Sequence, residues 1–316
     1  MKIARLILQV ALFLAGLFLF CYIVSLVDAR QLLQVLLSLK VNIVFIAALY
    51  LFINFWYVWG WQVIFQDADR PKVKFWPLFN IRLAGDAINN VTPFIDVGGE
   101  PLKVALAASA FSLSKRSVFA TIIVERTALL VSEMIFWVLG LVPLLLYWPL
   151  PADLKNALLI VTVIFSLISS VLVLGQSRGW IGKWFGKFSL KVKDVDLDIK
   201  SFYRHPDRRW FFTLFLHTVG WLAGVLEMFV ILYALGTPVS LFEALIAESM
   251  LQLIRSASFF IPGNLGAQEA GLAFILQGLG HTSSVGIAVS LIKRFRQLVW
   301  TGIGLLIGYF YGKPKL

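Results

Sequence analysis

Long apolar runs alternate with short polar stretches along most of the chain. A helix needs about 20 apolar residues to cross the hydrocarbon core of a bilayer. The runs that reach this length are 6–27, 41–65, 117–148, 156–175, 210–235 and 285–311. The first run is too long for the core of a signal peptide and has no obvious cleavage site, so we expect it to remain as a helix. The pattern predicts about six transmembrane helices.

Two other apolar regions are each interrupted by a polar stretch that contains proline and glycine. Region 77–112 is broken at 92–101, inside the sequence NVTPFIDVGGEPLKVAL, into arms of roughly 15 and 11 residues that are too short to span at about 1.5 Å per residue. Region 241–280 is broken at 262–266, and the arm after the break is also too short. Broken backbone is tolerated at membrane depth only where protein or a wet cavity surrounds it. We therefore predict two re-entrant helical hairpins.

The composition supports an integral membrane protein and excludes several other classes. Hydrophobic residues make up 59% of the 316 residues and charged residues 14%, whereas soluble domains average about a quarter charged residues. The net charge is +11, but the basic residues are scattered over loops, so we expect them to face anionic lipid and not nucleic acid. Cys21 is the single cysteine and the three histidines are far apart, so the sequence predicts neither a metal site nor a cofactor.

Basic loops indicate the sidedness of the chain, because cytoplasmic loops carry an excess of lysine and arginine. Loops 66–76, 113–116 and 176–209 and both termini are basic, which places them in the cytoplasm and the protein in the cell inner membrane. The first hairpin then enters from the cytoplasm and the second from outside. We divide a single transmembrane domain, 1–316, into N-terminal helices (1–76), a first repeat (77–175), a cytoplasmic basic loop (176–209) and a second repeat (210–316).

The two interrupted regions share the order of their features. Each has a proline, a glutamate seven residues later, and an arginine 25 or 26 residues after the glutamate. These residues are Pro93, Glu100 and Arg126 in the first copy and Pro262, Glu269 and Arg294 in the second. The shared order predicts an internal repeat, and entry from opposite sides makes it an inverted repeat, which transporters use to place a site near the midplane. Two unrelated helix breaks with chance spacing are the alternative.

The chemistry predicted for the breaks is anion binding. A helix break in a bilayer exposes unpaired backbone N–H groups, and helix N-termini bind phosphate. Glycines at the breaks let the backbone turn and approach a ligand closely. The residues predicted to bind the substrate are Glu100, Arg126, Glu269, Arg294, Pro93, Gly99, Pro262, Gly263 and Gly266. No catalytic residue is predicted, because the chain has no HExxH or GxSxG sequence and no cluster of His or Asp.

Other charged residues lie within apolar segments, where each costs about 2.5–3.5 kcal/mol to insert and therefore indicates a function and a partner. The predicted supporting charges are Asp86, Lys103, Glu133, Glu227 and Arg255. Lys103 follows Glu100 closely enough on one helix face to pair with it. Asp86 and Arg255 each precede a hairpin proline by seven residues, with opposite sign, which favours a pair across the repeat interface. Buried salt bridges that only fix helix packing are the alternative.

The last long run carries glycines at four-residue spacing, Gly304, Gly308 and Gly312. Small residues at this spacing let two helices approach closely. We expect this face to pack against another helix, either of the same chain or of a second copy in a homo-oligomer.

The two motifs resemble a known family. The segment NVTPFIDVGGEPLKVAL (90–106) with the later VER, and IPGNLGAQEAGLAFIL (261–276) with the later KR, are similar to the flippase-like, UPF0104-type family named for the transmembrane region of lysylphosphatidylglycerol synthase. The resemblance covers essentially the whole chain and implies a polytopic fold with two re-entrant regions that moves a lipid between leaflets. In bifunctional relatives that lipid is an aminoacylated phosphatidylglycerol, and a soluble C-terminal domain carries the aminoacyl transfer. This chain stops at Leu316, so we do not expect lysyl transfer.

These observations favour a flippase or transporter that moves a phospholipid, anionic or aminoacylated, or another lipid-linked headgroup between leaflets. Arginine suits a phosphate because it binds it bidentately. The chain has no nucleotide-binding loop, so we expect downhill transport or coupling to an ion or to the membrane potential. One alternative is an intramembrane lipid-modifying enzyme in which Glu100 and Glu269 converge as general acid and base. The other is an accessory membrane subunit of a lipid or cell-envelope synthase.

Overall fold

The computed structural model describes residues 29–39, 42–92, 98–148, 152–179, 190–204, 208–258, 261, 264 and 266–311. Over these ranges the chain is helical and contains no β-strand, as the all-α prediction requires. The α-helices, in chain order, are α1 (Ala29–Leu39), α2 (Asn42–Ile64), α3 (Phe75–Val91), α4 (Glu100–Phe111), α5 (Lys115–Tyr147), α6 (Ala152–Ser177), α7 (Leu190–Arg204), α8 (Arg208–Ala234), α9 (Leu241–Ala257), α10 (Ala267–Gly278) and α11 (Ser283–Tyr311). A short 3-10 helix, Arg70–Lys72, lies between α2 and α3.

Four helices of the described chain, α2, α5, α6 and α8, are long and apolar enough to cross a membrane. They coincide with the predicted runs 41–65, 117–148, 156–175 and 210–235. The predicted run 285–311 forms α11, which is 29 residues long but carries cationic residues in its middle. The predicted run 6–27 lies outside the described residues. Several apolar helices of spanning length make this a multi-pass membrane protein.

Both predicted helix breaks are places where one helix ends and another begins. Residues 92–99 separate α3 from α4, and residues 258–266 separate α9 from α10. Three predicted site residues lie outside the described part of the chain: Pro93, Pro262 and Gly263. α10 begins directly after Gly266, whose φ of +79° is strained for a residue with a side chain, so this N-cap position requires glycine.

The chain forms two compact units. The first comprises the described residues of Met1–Leu51, Phe79–Leu106 and Leu226–Leu316, and the second comprises those of Phe52–Leu78 and Ala107–Val225. Both helix breaks therefore lie in the first unit. The predicted first repeat, 77–175, contributes residues to both units, and the predicted loop 176–209 contains α7, which belongs to the second.

Within the first unit, α3 and α11 pack antiparallel. Asn80 Nδ2 donates a hydrogen bond to the hydroxyl of Tyr311 at 3.1 Å. Further along α3, Asn90 Nδ2 donates to Thr301 Oγ1 at 3.0 Å. Partners on α11 thus run backwards as positions on α3 advance, so the two helices are in contact over about three turns.

α3 and α4 fold back on each other inside the first unit. The N–H of Gly99 donates to Asn89 Oδ1 at 2.6 Å, and Lys103 Nζ lies 2.6 Å from Asp86 Oδ1. These contacts make α4 antiparallel to α3. A Cβ on Gly85 would lie 2.8 Å from the Cδ of Lys103, so the glycine leaves the space through which the lysine reaches its carboxylate.

α10 packs against its two neighbours in the same unit. Gln268 Nε2 donates to Ser290 Oγ of α11 at 3.0 Å, and Gly286 of α11 faces the backbone of Ala273. On its other side, Gly271 faces the side chain of Ile254 on α9. Close packing on both sides holds the start of α10 in a fixed position relative to α9 and α11.

Gly304 and Gly308, which follow the predicted four-residue spacing, differ in the space around them. A Cβ on Gly304 would lie 2.7 Å from Ala87 Cβ, closer than real Cβ atoms come, and 3.1 Å from the carbonyl carbon of Leu83, which is tighter than most real contacts. A Cβ on Gly308 would lie 3.5 Å from the nearest atom, Ala84 Cβ, an ordinary contact. The Gly304 position of this face is thus filled by α3 of the same chain.

We expect Gly304→Ala to lower the free energy of unfolding by roughly 1–3 kcal/mol, because the added methyl group must push packed backbones apart. The matched change Gly308→Ala should leave that free energy unchanged or raise it, since alanine favours helix over glycine. Unfolding of the two variants in detergent measures the difference. Equal stabilities would contradict the close approach of α3 and α11.

The second unit has its own apolar cores. One consists of Ile53, Tyr57, Leu129 and Ala223, with Trp56 and Trp221 packed against it. Another consists of Ile64, Ala120, Val124 and Ile199, and it attaches the amphipathic helix α7 to α2 and α5. On the surface, Arg116 donates two hydrogen bonds to Asp198, at 2.7 and 2.8 Å, and fixes the other face of α7 to the start of α5.

Candidate functional site

The second break holds an ion pair that links α10 to α11. Arg294 Nη2 lies 2.7 Å from Glu269 Oε1, and Arg294 Nε donates to the same oxygen at 3.2 Å. The Arg294 side chain is 1% exposed, whereas the Glu269 side chain is 27% exposed. The structure thus brings these two predicted binding residues together, with the cation deep and the carboxylate nearer the surface.

The carboxylate of Glu269 is held on three sides. Glu269 is the third residue of α10, and its Oε2 accepts a hydrogen bond from the N–H of Gly266 at 2.8 Å. Its Oε1 accepts from Ser290 Oγ at 3.1 Å as well as from Arg294. A glutamate at this position satisfies a backbone donor and lies at the positive end of the helix dipole. A backbone N–H, a hydroxyl and a guanidinium therefore point at one place, which is the donor set that an oxyanion requires.

Arg294 also contacts the backbone inside the second break. Its Nη2 donates to the carbonyl oxygen of Asn264 at 3.4 Å. Asn264 is buried and has a φ of +52°, a conformation that asparagine tolerates better than most residues. The arginine therefore fixes the backbone on one side of the break and the carboxylate on the other.

The first break holds a second charged cluster, between α3 and α4. Asn89, whose Oδ1 accepts from Gly99 N–H, also donates from Nδ2 to Glu100 Oε1 at 3.3 Å. Lys103 Nζ lies 3.3 Å from the same glutamate oxygen and 2.6 Å from Asp86. Glu100, Lys103 and Asn89 are all buried. The predicted Lys103–Glu100 pair is thus part of a larger cluster in which one lysine serves two carboxylates.

The two breaks use their glutamates differently. Glu100 is the first residue of α4 and has its cationic neighbour on the same helix, whereas Glu269 is the third residue of α10 and has its arginine on α11. Each glutamate follows its proline by seven residues, but this equal spacing does not predict its position in the helix, because α4 begins at Glu100 and α10 begins two residues before Glu269. Arg126, the predicted counterpart of Arg294, lies in the second unit, where its Nε is 3.9 Å from Glu125.

A third group of charges is buried between α8, α9 and α11 of the first unit. Lys293 Nζ lies 3.0 Å from Glu227 Oε2 and 2.8 Å from Glu248 Oε2. Arg296 Nη1 lies 2.9 Å from the carboxylate of Glu227, and its guanidinium lies over the ring of Tyr50. The four charged side chains, two carboxylates and two cations, are between 1% and 11% exposed. Their charges balance, which is the condition for keeping them in an apolar interior.

α11 contacts two of these groups and the end of α3 that leads into the first break. Lys293 and Arg296 serve the third group, Arg294 serves the second break, and Gln297 donates to Asn90, the neighbour of Asn89, at 3.2 Å. The segment from Lys293 to Thr301 rises by only about 12 Å along a helix. The second break, the buried charges and the last turn of α3 therefore contact one short stretch of the same helix.

The remaining predicted charges have these positions. Asp86 is bound by Lys103 and by Arg82, whose Nε lies 3.4 Å from Asp86 Oδ2. Arg255 is half-buried in the last turn of α9, and Glu133 is half-buried on α5 in the second unit. No group of three or more His, Cys, Asp or Glu side chains suited to a metal ion occurs among the described residues.

A cavity of about 350 Å3 lies in the second unit, at the ends of α2 and α8 and beside α5 and α7. Asp67, Asp198 and Arg209 contribute its charged lining, and Arg209 Nη2 lies 3.2 Å from Asp67. None of the predicted binding residues lines this cavity. Five of them, Gly99, Glu100, Gly266, Glu269 and Arg294, lie at or against the helix breaks instead.

Three polar residues of these clusters escaped the sequence prediction: Asn89, Gln268 and Ser290. Asn89 belongs to a pair of asparagines directly before the first break, and polar residues at that place in an apolar region are a usable signal. Ser290 precedes Arg294 by four residues, which puts both on one helix face. Gln268 carries no signal apart from its position beside Glu269.

Comparison of the sequence with known proteins identifies the family of this chain. The lysylphosphatidylglycerol synthase TM region family matches residues 6–304. The chain belongs to this family. A UPF0104 membrane protein of Methanothermobacter thermautotrophicus is 25% identical over 239 residues, which are 69% of this chain and 70% of that protein. A UPF0104 membrane protein of Pyrococcus horikoshii is 24% identical over 263 residues, 75% and 77% of the respective chains. No solved structure matches the chain.

Membership in the lysylphosphatidylglycerol synthase TM region family confirms the resemblance drawn from the two proline–glycine motifs. The family match covers both motifs and also the segment of α11 that contacts them. A multi-pass setting in the membrane follows from the family together with the apolar helices.

Proposed function

We propose that this chain is a lipid flippase that moves a phospholipid, anionic or aminoacylated, or another lipid-linked headgroup between the leaflets of the cell inner membrane. The observation that carries the proposal is the buried Arg294 of α11, neutralised by the partly exposed Glu269 at the start of α10. A charge inside an apolar membrane protein is expensive and points to a function that needs it. Membership in a family named for a lipid synthase supports lipid as the substrate.

Glu269 acts in this proposal as an internal substitute for a headgroup phosphate. Its carboxylate fills the position where Gly266 N–H, Ser290 Oγ and Arg294 converge. A phosphate oxygen suits the same donors, because guanidinium and helix N-termini bind phosphate. An arriving headgroup exchanges with the carboxylate, and Glu269 returns when the headgroup leaves. The arginine therefore keeps a partner in both states.

The proposed architecture keeps six transmembrane helices and two re-entrant hairpins in an inverted repeat, with both termini in the cytoplasm. The contacts of the second break and of the last turn of α3 with one short stretch of α11 support a common depth for the two hairpins. Gly99 and Glu100 at the first break belong to the proposed lipid-facing surface together with Gly266, Glu269 and Arg294. Arg126 remains a proposed binding residue of the second unit.

A vesicle assay tests the proposal. The purified chain is placed in vesicles of phosphatidylcholine and phosphatidylglycerol that contain a trace of tail-labelled phosphatidylglycerol. A membrane-impermeant reductant then bleaches the outer-leaflet label. We expect bleaching to proceed well beyond one half with the protein and to stop near one half without it. Bleaching that stops near one half in both cases contradicts flippase activity.

The variant Glu269→Gln separates the proposed exchange from a purely structural role. Without the competing carboxylate, we expect the chain to retain more co-purified phosphatidylglycerol but to move it at least tenfold more slowly. Tighter binding slows release of the headgroup, and each tenfold decrease in the release rate corresponds to about 1.4 kcal/mol of additional binding free energy. The exposed Asp153, changed to Asn, is the matched control and should behave as the unmodified chain. Unchanged movement and retention in Glu269→Gln would remove this residue from the mechanism.

A new lipid product formed by the pure protein would favour the enzyme alternative.

A further inference from the structure

We infer that Gln268 is a positioning residue of the proposed lipid site, which fixes the hydroxyl of Ser290 as a hydrogen-bond donor toward the headgroup phosphate. The inference rests on the proposed lipid movement and adds a residue to the same site. The observation behind it is that Gln268 Nε2 donates to Ser290 twice, to Oγ at 3.0 Å and to the carbonyl oxygen at 3.3 Å. Both residues are buried, Gln268 at 1% and Ser290 at 0% exposure.

The contact with the backbone fixes which way round the Gln268 amide lies. The carbonyl oxygen of Ser290 can only accept a hydrogen bond, so the amide atom that faces it is the nitrogen, which carries two hydrogens. One hydrogen points to that carbonyl oxygen and the other to Ser290 Oγ. The Ser290 oxygen is therefore an acceptor toward Gln268.

The hydroxyl of Ser290 keeps its own hydrogen for a different acceptor. It donates to Glu269 Oε1 at 3.1 Å. An ionised carboxylate only accepts hydrogen bonds, so the direction of this bond is fixed as well. The bonds thus run in one direction, from the amide of Gln268 through the hydroxyl of Ser290 to the oxygen that Arg294 also binds.

This use of a hydroxyl differs from that of several other serines and threonines in the helices. Their hydroxyls donate to a carbonyl oxygen three or four residues earlier in the same helix, which satisfies them without an outside partner. Examples are Ser132, Ser166, Ser249 and Thr218, which donate to Leu129, Thr162, Ile246 and Leu214. The hydroxyl of Ser290 leaves its own helix, α11, and donates to Glu269 on α10 instead.

A buried glutamine is a costly residue to use for packing alone. Burial of an amide costs free energy unless it is hydrogen-bonded, and an apolar side chain of the same length would fill the space without that cost. The contact between α10 and α11 is already close at another position, since Gly286 lies against the backbone of Ala273. The amide of Gln268 therefore serves to orient Ser290.

With the hydroxyl fixed in this way, the site presents only donors to its ligand. Gly266 N–H, Ser290 Oγ and two nitrogens of Arg294 meet the two carboxylate oxygens of Glu269. A phosphodiester likewise offers two oxygens that share one negative charge. Without Gln268, the hydroxyl of Ser290 is free to turn back to its own helix, and the phosphate loses one of its donors.

The competing carboxylate has to be removed before the contribution of one donor to headgroup binding can be measured. Glu269 and the phosphate use the same donors in the proposed exchange, so the loss of a donor weakens both and its effects largely cancel. The test therefore uses the full chain with Glu269→Gln and adds Gln268→Met, Ser290→Ala or both. Native mass spectrometry of each variant, titrated with phosphatidylglycerol in a non-ionic detergent, gives the affinity.

We expect Gln268→Met and Ser290→Ala each to weaken phosphatidylglycerol binding about tenfold in that background, because a hydrogen bond to a charged group contributes more than one between neutral groups. The two changes together should weaken binding no more than Ser290→Ala alone, since Gln268 acts through Ser290. In the chain that retains Glu269, the same changes should have a much smaller effect. Additive effects overturn the inference, and so does an affinity of Gln268→Met equal to that of its background.

Matched controls separate positioning from packing. Gln277→Met removes an exposed glutamine of α10, and Ser249→Ala removes a buried serine whose hydroxyl bonds to its own helix. Both should keep the affinity of the Glu269→Gln background, and thermal unfolding in detergent shows that each variant is folded. Gln268→Leu is a second apolar replacement and should bind phosphatidylglycerol as weakly as Gln268→Met. A loss of affinity in the controls as large as in Gln268→Met overturns the inference.

The binding measurement does not depend on lipid movement. If the effects at positions 268 and 290 are non-additive but the unmodified chain moves no phosphatidylglycerol in vesicles, the role of Gln268 stands and the proposed function fails. If lipid moves while Gln268→Met binds as tightly as its background, the proposed function stands and the inference fails. Absence of phosphatidylglycerol binding by Glu269→Gln overturns both.

Discussion

Replacing Arg294 with methionine is expected to abolish lipid movement and to lower the free energy of unfolding by on the order of 3 kcal/mol. The side chain is almost fully buried, and it supplies the cation for Glu269 and a donor to the backbone of Asn264. Methionine fills much of the same volume, so the main loss is electrostatic. Removal of one partner from a buried pair is costly because it leaves the other charge without compensation.

A second change separates binding from folding. Glu269→Gln in the Arg294→Met background removes the uncompensated carboxylate, so most of the lost stability should return. Lipid movement should not return, because the donor set for the phosphate still lacks its guanidinium. Denaturant unfolding in detergent and the vesicle assay measure the two effects. A double variant that moves lipid normally would show that Arg294 only holds α10 in place. Lys155→Gln, which removes an exposed cation of α6, serves as the control.

Replacing Lys293 with methionine should have an even larger effect on stability, on the order of 3–5 kcal/mol. This lysine is the shared cation of Glu227 and Glu248, and all three side chains are at most 4% exposed. Without it, the two buried carboxylates remain with Arg296, which pairs with Glu227 at 2.9 Å, and the charge of the group changes from zero to −1. The variant should express poorly and unfold well below the temperature of the unmodified chain.

The matching rescue is Glu248→Gln in the Lys293→Met background. It restores neutrality, since Glu227 and Arg296 remain as a pair. A double-mutant cycle on the free energy of unfolding should give a coupling between positions 248 and 293 of roughly 1–3 kcal/mol, the range for residues in direct contact. Additive effects of the two changes would contradict the ion pair.

The helix breaks were predictable from sequence because their cause is local. Proline, glycine and polar residues clustered within a few positions disfavour a continuous apolar helix, and the described helices end and restart around 92–101 and 262–266. The pair of Glu269 and Arg294 could also be expected from the sequence, because both are charges in apolar segments and such charges need partners.

The partners of most other charges could not be derived in this way. The equal distance of Asp86 and Arg255 from the prolines suggested a pair, which stays a prediction, and that spacing gives no indication of Lys103 and Arg82, which the structure places beside Asp86. The spacing of residues along a chain fixes a helix face and leaves open which neighbouring helix that face meets. The shared role of Lys293 depends on α8, α9 and α11 meeting at one level, and this is a property of the packing alone.

The cationic middle of α11 has a consequence for how the chain enters a membrane during synthesis. Three positive charges within four residues oppose partitioning of this segment into lipid by roughly 9 kcal/mol if each carries the usual cost. Their acidic partners, Glu227, Glu248 and Glu269, all precede α11 in the chain and are already synthesised when it emerges from the ribosome. The segment should therefore leave the translocon late and in contact with α8, α9 and α10. Their carboxylates then neutralise its cations, which lowers the free energy of inserting it into lipid.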